Sequence, residues 1–406
     1  MGGGKVAVVG GSIAGCAMAL AASRGGAEQV TVFERAGGEL RDRGVGIGVH
    51  GDRFAELEAA GYMTDAMPWA PLSRRLWTVR DGATDLGRNM ASQPFPFRAY
   101  NWGSLWSELR RRVPDGTDFR AEAHVAQVAT DADRATVRLA DGSEEHFDLV
   151  IGADGYRSVV RQAMFPELAP AYAGYLGWRG TSEAPADLPE GGDEEARVVV
   201  FPGGHCMMYL IPDRKEGHRM NWVLYTRPPA ESGLDEELRS PTSLPPGKVA
   251  AELTASLRDL VAEHFPPYWA DCVLRSPEER TFIQPIYDLS VPHYARGRLL
   301  LAGDAATVAR PHIGAGSVKA LQDAAALERV WRSGGSWQEI LTAYDEGRSV
   351  VGGQMVGLAR RMGEAQVVRT PDWSTMREPE FHAWWEEQNR GSAPGGSLGG
   401  QALRPD

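Results

Sequence analysis

Cysteine is scarce in this chain of 406 residues: only Cys16, Cys206 and Cys272 occur, far apart and in no paired spacing. That excludes a disulfide framework and a cysteine-based zinc site, and it fits a reducing compartment. Long apolar runs are missing as well. No stretch approaches the ~20 apolar residues that a bilayer crossing needs, and the N-terminus lacks the charged-then-apolar layout of a secretory leader. A cytoplasmic location with no membrane partner is therefore expected. Basic charge is in the minority, 43 Lys and Arg against 54 Asp and Glu, for a net charge of -11. A nucleic-acid partner is not expected on that balance, and small molecules are.

What the chain does contain is enough length for a large core and two interleaved domains. One stretch, Gly297 to Leu327, joins strand, carboxylate, glycine turn and helix without a break. Leu299, Leu300 and Leu301 read as a buried parallel strand that ends at Gly303-Asp304, where open α/β sheets bind ligands. Beyond Pro311 the residues Gly314, Ala315, Gly316 and Ser317 carry almost no side chain and lead into a helix, so an anionic group is favoured at that helix start.

The same grammar occurs twice more. Lys5 to Val9 runs into Gly10-Gly-Ser-Ile-Ala-Gly15 and a small-residue helix, and Val30 to Phe33 then ends in Glu34. Glu34 stands roughly where a dinucleotide turn requires the acid that holds a ribose. Phe147 to Ile151 ends in Gly152-Ala-Asp-Gly155, with Arg157, Ser158 and Arg161 opening a helix. Three turns of this kind imply one extended ligand lying across several strand ends.

Between these stations, Arg41 to Gly51 reads either as a loop and strand passing a cofactor or as a plain bulged segment. A short helix is expected over Asp52 to Ala60, strands over Pro68 to Pro96, and a helix at Trp102 to Leu109 ending in the solvated arginines 110–112. From Tyr172 to Ile286 aromatic-rich strands predict an antiparallel sheet with a helical insertion at Pro245 to Phe265. Helices are expected over Trp337 to Arg348, Gln354 to Val367 and Glu378 to Gln388, and Gly391 to Asp406 reads as a disordered tail.

Taken together, Gly10-x-Ser12-x-x-Gly15 with Glu34, Asp154-Gly155, and Gly303-Asp304 with Pro311 and Gly314-Ala-Gly316 resemble the single-component FAD-dependent aromatic hydroxylases of the p-hydroxybenzoate hydroxylase fold. Tyr172-Ala-Gly-Tyr175, Trp178-Arg-Gly180, Asn221 to Tyr225 and Arg310-Pro-His312 with Lys319 look most like the 2,6-dihydroxypyridine 3-hydroxylase branch. The resemblance implies an α/β fold in which a Rossmann-like FAD-binding domain (1–72, 97–170 and 287–350) is interleaved with a mostly antiparallel substrate sheet (73–96 and 171–286). C-terminal helices would occupy 351–390.

It also implies roles. Gly10, Ser12 and Gly15 would lie at the pyrophosphate, Glu34 at the adenosine ribose, Arg35 near the adenine end, with Val125 also on the cofactor side. Asp154 would serve FAD and the nicotinamide nucleotide, and Arg157 and Arg161 are further contacts to consider. Gly303 and Asp304 would hold the ribitol, and Pro311, Gly314, Ala315, Gly316 and Ser317 the reactive ring edge. Trp102 stands where many relatives carry a phosphate-binding arginine, so Arg43 is the substitute to consider. Ser12 for glycine and Thr307 for histidine are two further departures.

The implied reaction is hydroxylation of an electron-rich aromatic or heteroaromatic small molecule through a C4a-hydroperoxyflavin, with O2 and with NADH or NADPH as a transient co-substrate. His50, His205, Tyr209, Tyr225 and His312 are the candidates for a pocket base or substrate hydrogen bonds, and Arg179 for pairing with an acidic substrate. An FAD-dependent reductase, oxidase or epoxidase and a non-catalytic flavin-binding protein are the other readings, and a monomer or a homodimer is expected.

Overall fold

Val6 to Val9 are buried on both faces, as a near-continuous apolar strand of a parallel sheet must be, and Lys5–Val9 (β1) leads through a glycine turn into Ile13–Gly25 (α1) and Gln29–Phe33 (β2). The computed structural model describes residues 3–38, 45–213, 217–229, 238–239, 244–245 and 247–390. Next come Gly46–His50 (β3), Gly51–Ala59 (α2), the long strands Ala70–Val79 (β4) and Arg88–Asn101 (β5), helix Trp102–Arg112 (α3) and strand Asp118–Arg120 (β6). A meander of Val125–Thr130 (β7), Ala135–Leu139 (β8) and Glu144–Phe147 (β9) precedes Leu149–Gly152 (β10) and the short helix Val159–Met164 (α4).

The second half opens with Ala171–Glu183 (β11), Glu195–Phe201 (β12), Gly204–Pro212 (β13) and His218–Thr226 (β14). Helices Ala251–His264 (α5) and Pro267–Leu274 (α6) follow, then strands Phe282–Ser290 (β15), Ala295–Arg296 (β16), Leu299–Leu301 (β17) and Thr307–Val308 (β18). Gly316–Arg332 (α7), Trp337–Gly363 (α8) and Glu378–Gln388 (α9) close the described chain.

Two large sheets result. The first has the order β16-β17-β10-β1-β2-β6 and is parallel except at β16. Helices α1 and α7 pack together against it, so closely that a side chain at Gly25 would run into Trp331. The second sheet has the order β18-β15-β11-β14-β13-β12-β4-β5-β3 and is antiparallel except where β12 meets β4. Meander β7-β8-β9 forms a small third sheet.

Several elements differ from the expectations. The second sheet takes in Gly46–His50 and extends along Ala70–Val79 and Arg88–Asn101, so it uses more of the early chain than 73–96. Trp337 to Gly363 is one helix rather than two, and it runs on into a π-helical turn over Glu364–Val368. Gly352 does not stop it, because a side chain there would strike the Tyr294 and Thr307 hydroxyls; the glycine serves close packing. The expected tail at Gly391 to Asp406 lies outside the described residues. All three cysteines are free and buried, and no described helix is long and apolar enough to cross a membrane.

Candidate active site

Strands β17, β10, β1 and β2 lie side by side and in register, Val9 opposite Gly152 and Gly152 opposite Leu301. Their carboxyl ends therefore deliver the three expected turns to one edge, spaced by roughly 5 Å per strand. At Gly10 the backbone is left-handed, and a Cβ would stand 2.5 Å from the Ala153 carbonyl. At Gly15 a Cβ would collide with the Gly10 carbonyl, so only glycine lets α1 approach. The indole of Trp106 donates to the Gly11 carbonyl at 2.9 Å and fixes the turn from the side. Glu34 accepts from the backbone N–H groups of Gly11 and Ala36, both at 2.8 Å, which orients its carboxylate at the mouth of the turn.

Beneath the second and third turns lies a set of buried charges. Asp323, on α7, accepts from Gly303 N at 2.8 Å and from Arg348 Nε at 2.7 Å, and it is ion-paired with Lys319 one helical turn away. All three side chains are buried, and Asp323 is fully so. A buried carboxylate shared by two cations and a backbone donor is costly to break, because removing one partner strands the others. Its product is a rigid Gly303 turn that presents Asp304 to the cleft. Arg161, also buried, donates to the Ala305 carbonyl at 3.0 Å and to the Tyr156 carbonyl, and so staples this turn to the Asp154-Gly155 turn.

The Gly303-Asp304 turn opens, through Asp304, into a cleft of about 1170 Å³ between the two sheets, which Tyr156 beside the second turn also lines; Gly10, Ser12, Gly15, Glu34, Asp154 and Gly303 are not among its lining residues. One wall is the segment Arg310 to Ser317, where Gly314 is left-handed and the N-terminus of α7 begins without a side-chain cap. Opposite it, the inward face of the second sheet contributes Arg75, Trp77, Arg179, His205, Tyr209 and Tyr225. The two walls meet in an aromatic cluster. His312 lies 4.6 Å from Tyr225 and 5.3 Å from His205, centroid to centroid, and its Nε2 is 2.6 Å from the Tyr175 hydroxyl.

Burial sets the protonation of this cluster. It pulls the His205 pKa down to about 4, with the nearby Arg75 charge adding to the effect, and it pushes Tyr225 up to about 12 against the opposing Arg179. His312 is lowered by burial first, and then by His205 and Arg310. The pocket thus presents neutral histidines and neutral phenols beside two guanidinium groups.

The cleft brings together Asp304, His312, His205, Tyr209, Tyr225, Pro311, Gly314, Ala315, Gly316 and Ser317. It does not include His50, whose Nδ1 accepts from Asp52 N at 3.2 Å to cap α2 and whose ring packs edge-on against Phe97. Val125 is buried in the core beside the first sheet, Arg35 is exposed near the Glu34 turn, and Arg157 is exposed. Arg43 lies outside the described residues. Arg161 turns its two terminal nitrogens to backbone carbonyls, and its Nε is buried without a partner. The sequence reading missed Arg75 and Asp323. Asp323 stands at a Lys-x-x-x-Asp spacing directly after the glycine turn, which reads equally as an exposed pair; Arg75 had no signal, because a bulge between Leu72 and Arg74 resets the alternation of β4.

A family model described as FAD binding domain matches residues 4–359. The chain belongs to that family. It is 30% identical over 338 residues to the 2,6-dihydroxypyridine 3-monooxygenase of Paenarthrobacter nicotinovorans, covering 80% of this chain and 82% of that one. The structure of 2,6-dihydroxypyridine-3-hydroxylase from Arthrobacter nicotinovorans superposes with a TM-score of 0.79 at 27% identity, covering 92% of this chain and 96% of that one. Zeaxanthin epoxidase of Nicotiana plumbaginifolia is 29% identical over 382 residues, 88% of this chain but only 54% of the epoxidase. The chain is accordingly an FAD-dependent monooxygenase-type enzyme with the p-hydroxybenzoate hydroxylase-like fold.

The residues fit that cofactor. The Gly10 and Gly15 turn has no side chain at Gly10, Gly11 or Gly15 and is fronted by Glu34, Asp154 Oδ1 is a buried acceptor without a partner, and open space stands before Gly314 and Gly316. His312, which lines the same cleft, likewise has its Nδ1 buried with no partner.

Proposed function

We propose that this enzyme hydroxylates an electron-rich aromatic or heteroaromatic small molecule, with NADH or NADPH and O2 as co-substrates. The observation that carries the reading is the apposition of the Arg310 to Ser317 turn with the His205, Tyr209 and Tyr225 face of the second sheet across one cleft. When bound, FAD supplies the redox chemistry, accepting hydride equivalents and passing one oxygen atom of O2 to the substrate ring. We read 1–72, 97–170 and 287–350 as the domain that holds it and the antiparallel sheet as the domain that holds the substrate.

The protein's own part is binding, orientation and charge control. Gly10, Ser12, Gly15 and Glu34 would hold the adenosine and pyrophosphate end, and Asp304, fixed from below by Asp323, the ribitol. The free N–H groups at the start of α7 favour negative charge on the ring edge that faces them. A histidine with a pKa of about 4 is too weak a base to deprotonate a phenol fully. His205 and His312 therefore act as neutral hydrogen-bonding groups, and the Arg179 guanidinium, which favours ionisation of Tyr209 and Tyr225, would favour ionisation of a substrate hydroxyl beside them.

The test is to follow NAD(P)H and O2 consumption by the purified yellow protein over a panel of phenols, hydroxypyridines and indoles, with isotope-labelled dioxygen. Substrate-stimulated consumption with label in an aromatic hydroxyl supports the reading. Label in an epoxide would favour the epoxidase alternative, and turnover without incorporation a reductase or oxidase.

A further inference from the structure

Arg75 is 5% exposed and lines the cleft from β4. Its Nε and Nη2 donate to Gln93 Oε1 at 3.2 and 2.6 Å, and the same oxygen accepts from Trp77 Nε1 at 2.9 Å, so the guanidinium fork is held in one orientation. Its carbon centre lies over the rings of Trp77, Phe95 and Trp385 at 5.1, 5.1 and 4.5 Å. Among the described residues no carboxylate pairs with it, and Nη1 has no hydrogen-bond partner.

Among the other buried arginines, Arg197 has Glu195, Arg348 has Asp323 and Arg53 has Glu56, while Arg161 has no carboxylate but turns both terminal nitrogens to backbone carbonyls. Aromatic faces compensate part of a buried cation's lost hydration, but they leave its N–H groups unsatisfied. Arg179 lines the same cleft from β11, bonded to Gln284 at 3.1 Å and again without a carboxylate among the described residues. Arg75 and His205 line the cleft from the second sheet, and the His205 ring centroid lies 5.3 Å from that of His312, on the Arg310 to Ser317 turn that lines it from the other side. The unpaired cation is thus on the wall across from the turn.

We propose that Arg75, seconded by Arg179, is an anion subsite, and that the substrate is an aromatic or heteroaromatic acid whose carboxylate is held there while its ring lies under the Pro311 to Ser317 turn. This rests on the reading of the cleft as the hydroxylation site. The pre-oriented fork matches a planar carboxylate, and the aromatic walls exclude the water that would otherwise screen the pair.

The test uses the FAD-loaded enzyme and matched carboxylate and carboxamide probes: benzoate with benzamide, salicylate with salicylamide, anthranilate with anthranilamide. Binding is read from the change in flavin absorbance. The carboxylates should bind at least about 10-fold more tightly than their amides, as expected for charge-assisted hydrogen bonds. In Arg75→Met the preference should vanish with FAD retained, and in Arg75→Lys part of it should return. If Arg75→Met does not fold, Arg179→Gln and the wild-type comparison decide. Equal binding of acids and amides, no binding of any acid, or a preference that survives Arg75→Met overturns the proposal. An enzyme that turns over neutral phenols while ignoring the acids would lose the anion subsite but keep the hydroxylase reading; one that consumes no NAD(P)H with any compound loses both.

Discussion

The Tyr175 hydroxyl lies 2.6 Å from His312 Nε2, joining a strand of the second sheet to the turn that ends the cleft. If Tyr175 donates, the His312 proton sits on Nδ1, the atom left buried and unpartnered beside the cleft. This one contact therefore sets which edge of the imidazole faces a ligand.

Tyr175→Phe should keep FAD and the fold but release the imidazole. One neutral hydrogen bond is worth about 1 kcal/mol, or roughly fivefold, so the ratio of product formed to NAD(P)H consumed should fall several-fold. Coupling equal to wild type would remove His312 orientation from the mechanism.

Gly363→Ala probes the same contact from behind. A Cβ there would collide with the Tyr175 hydroxyl and stand 3.0 Å from His312 Cδ2. Overpacking of this kind costs about 1–3 kcal/mol, so thermal unfolding should shift down by several degrees and coupling should fall with it. A variant as stable as wild type would show that this end of α8 yields readily.

Asp304 and Asp323 are adjacent in space yet differ in what they hold. Asp304 faces the open cleft, so Asp304→Ala should give a folded but largely colourless protein. Asp323→Ala strands Lys319 and Arg348, and should lose about 3–5 kcal/mol of stability as well as cofactor. Comparing flavin content with the unfolding midpoint separates the two; full retention of FAD in Asp304→Ala would contradict the placement of the ribitol.

Acid should destabilise the fold before it protonates the cluster. The His205 pKa falls from 6.5 in the unfolded chain to about 4 in place, and that of His312 falls as well. The unfolded state thus takes up protons first, so stability is complete above the unfolded value and is lost as pH falls from 6.5 toward 4. Each such group contributes a slope of up to about 1.4 kcal/mol per pH unit. Unfolding midpoints measured between neutral pH and about pH 5 should decline, and less steeply in His205→Asn.

The three glycine-carboxylate turns were legible because each is local: strand, turn and helix follow in sequence, and the chemistry sits at the junction. Asp323 was not, because Lys319 and Asp323 at that spacing look like a surface pair, and only the packing of α7 between the first sheet and α8 buries them. Arg75 was hidden by its neighbour. Arg74 faces outward to Glu195, and in a strand two adjacent arginines do not declare which one turns inward. His50 misled for the opposite reason, since a glycine-rich approach suggested a ligand where the imidazole caps a helix. The break expected near Gly352-Gly353 vanished because Gly352 is small to admit Tyr294 and Thr307, not to end a helix.

That uninterrupted helix α8 acts as a gauge rod. Near its middle Arg348 grips Asp323 under the Gly303 turn, and at its end Arg360 grips Asp288 of β15 while Gly363 abuts Tyr175. The residues from 348 to 360 span about 18 Å at ~1.5 Å per residue, so the separation of the two walls is counted out in peptide units. Adding one residue between those grips would turn everything beyond by ~100° and displace it by ~1.5 Å, which no side-chain adjustment could absorb. The cleft's width is thereby tied to the number of residues between the two grips.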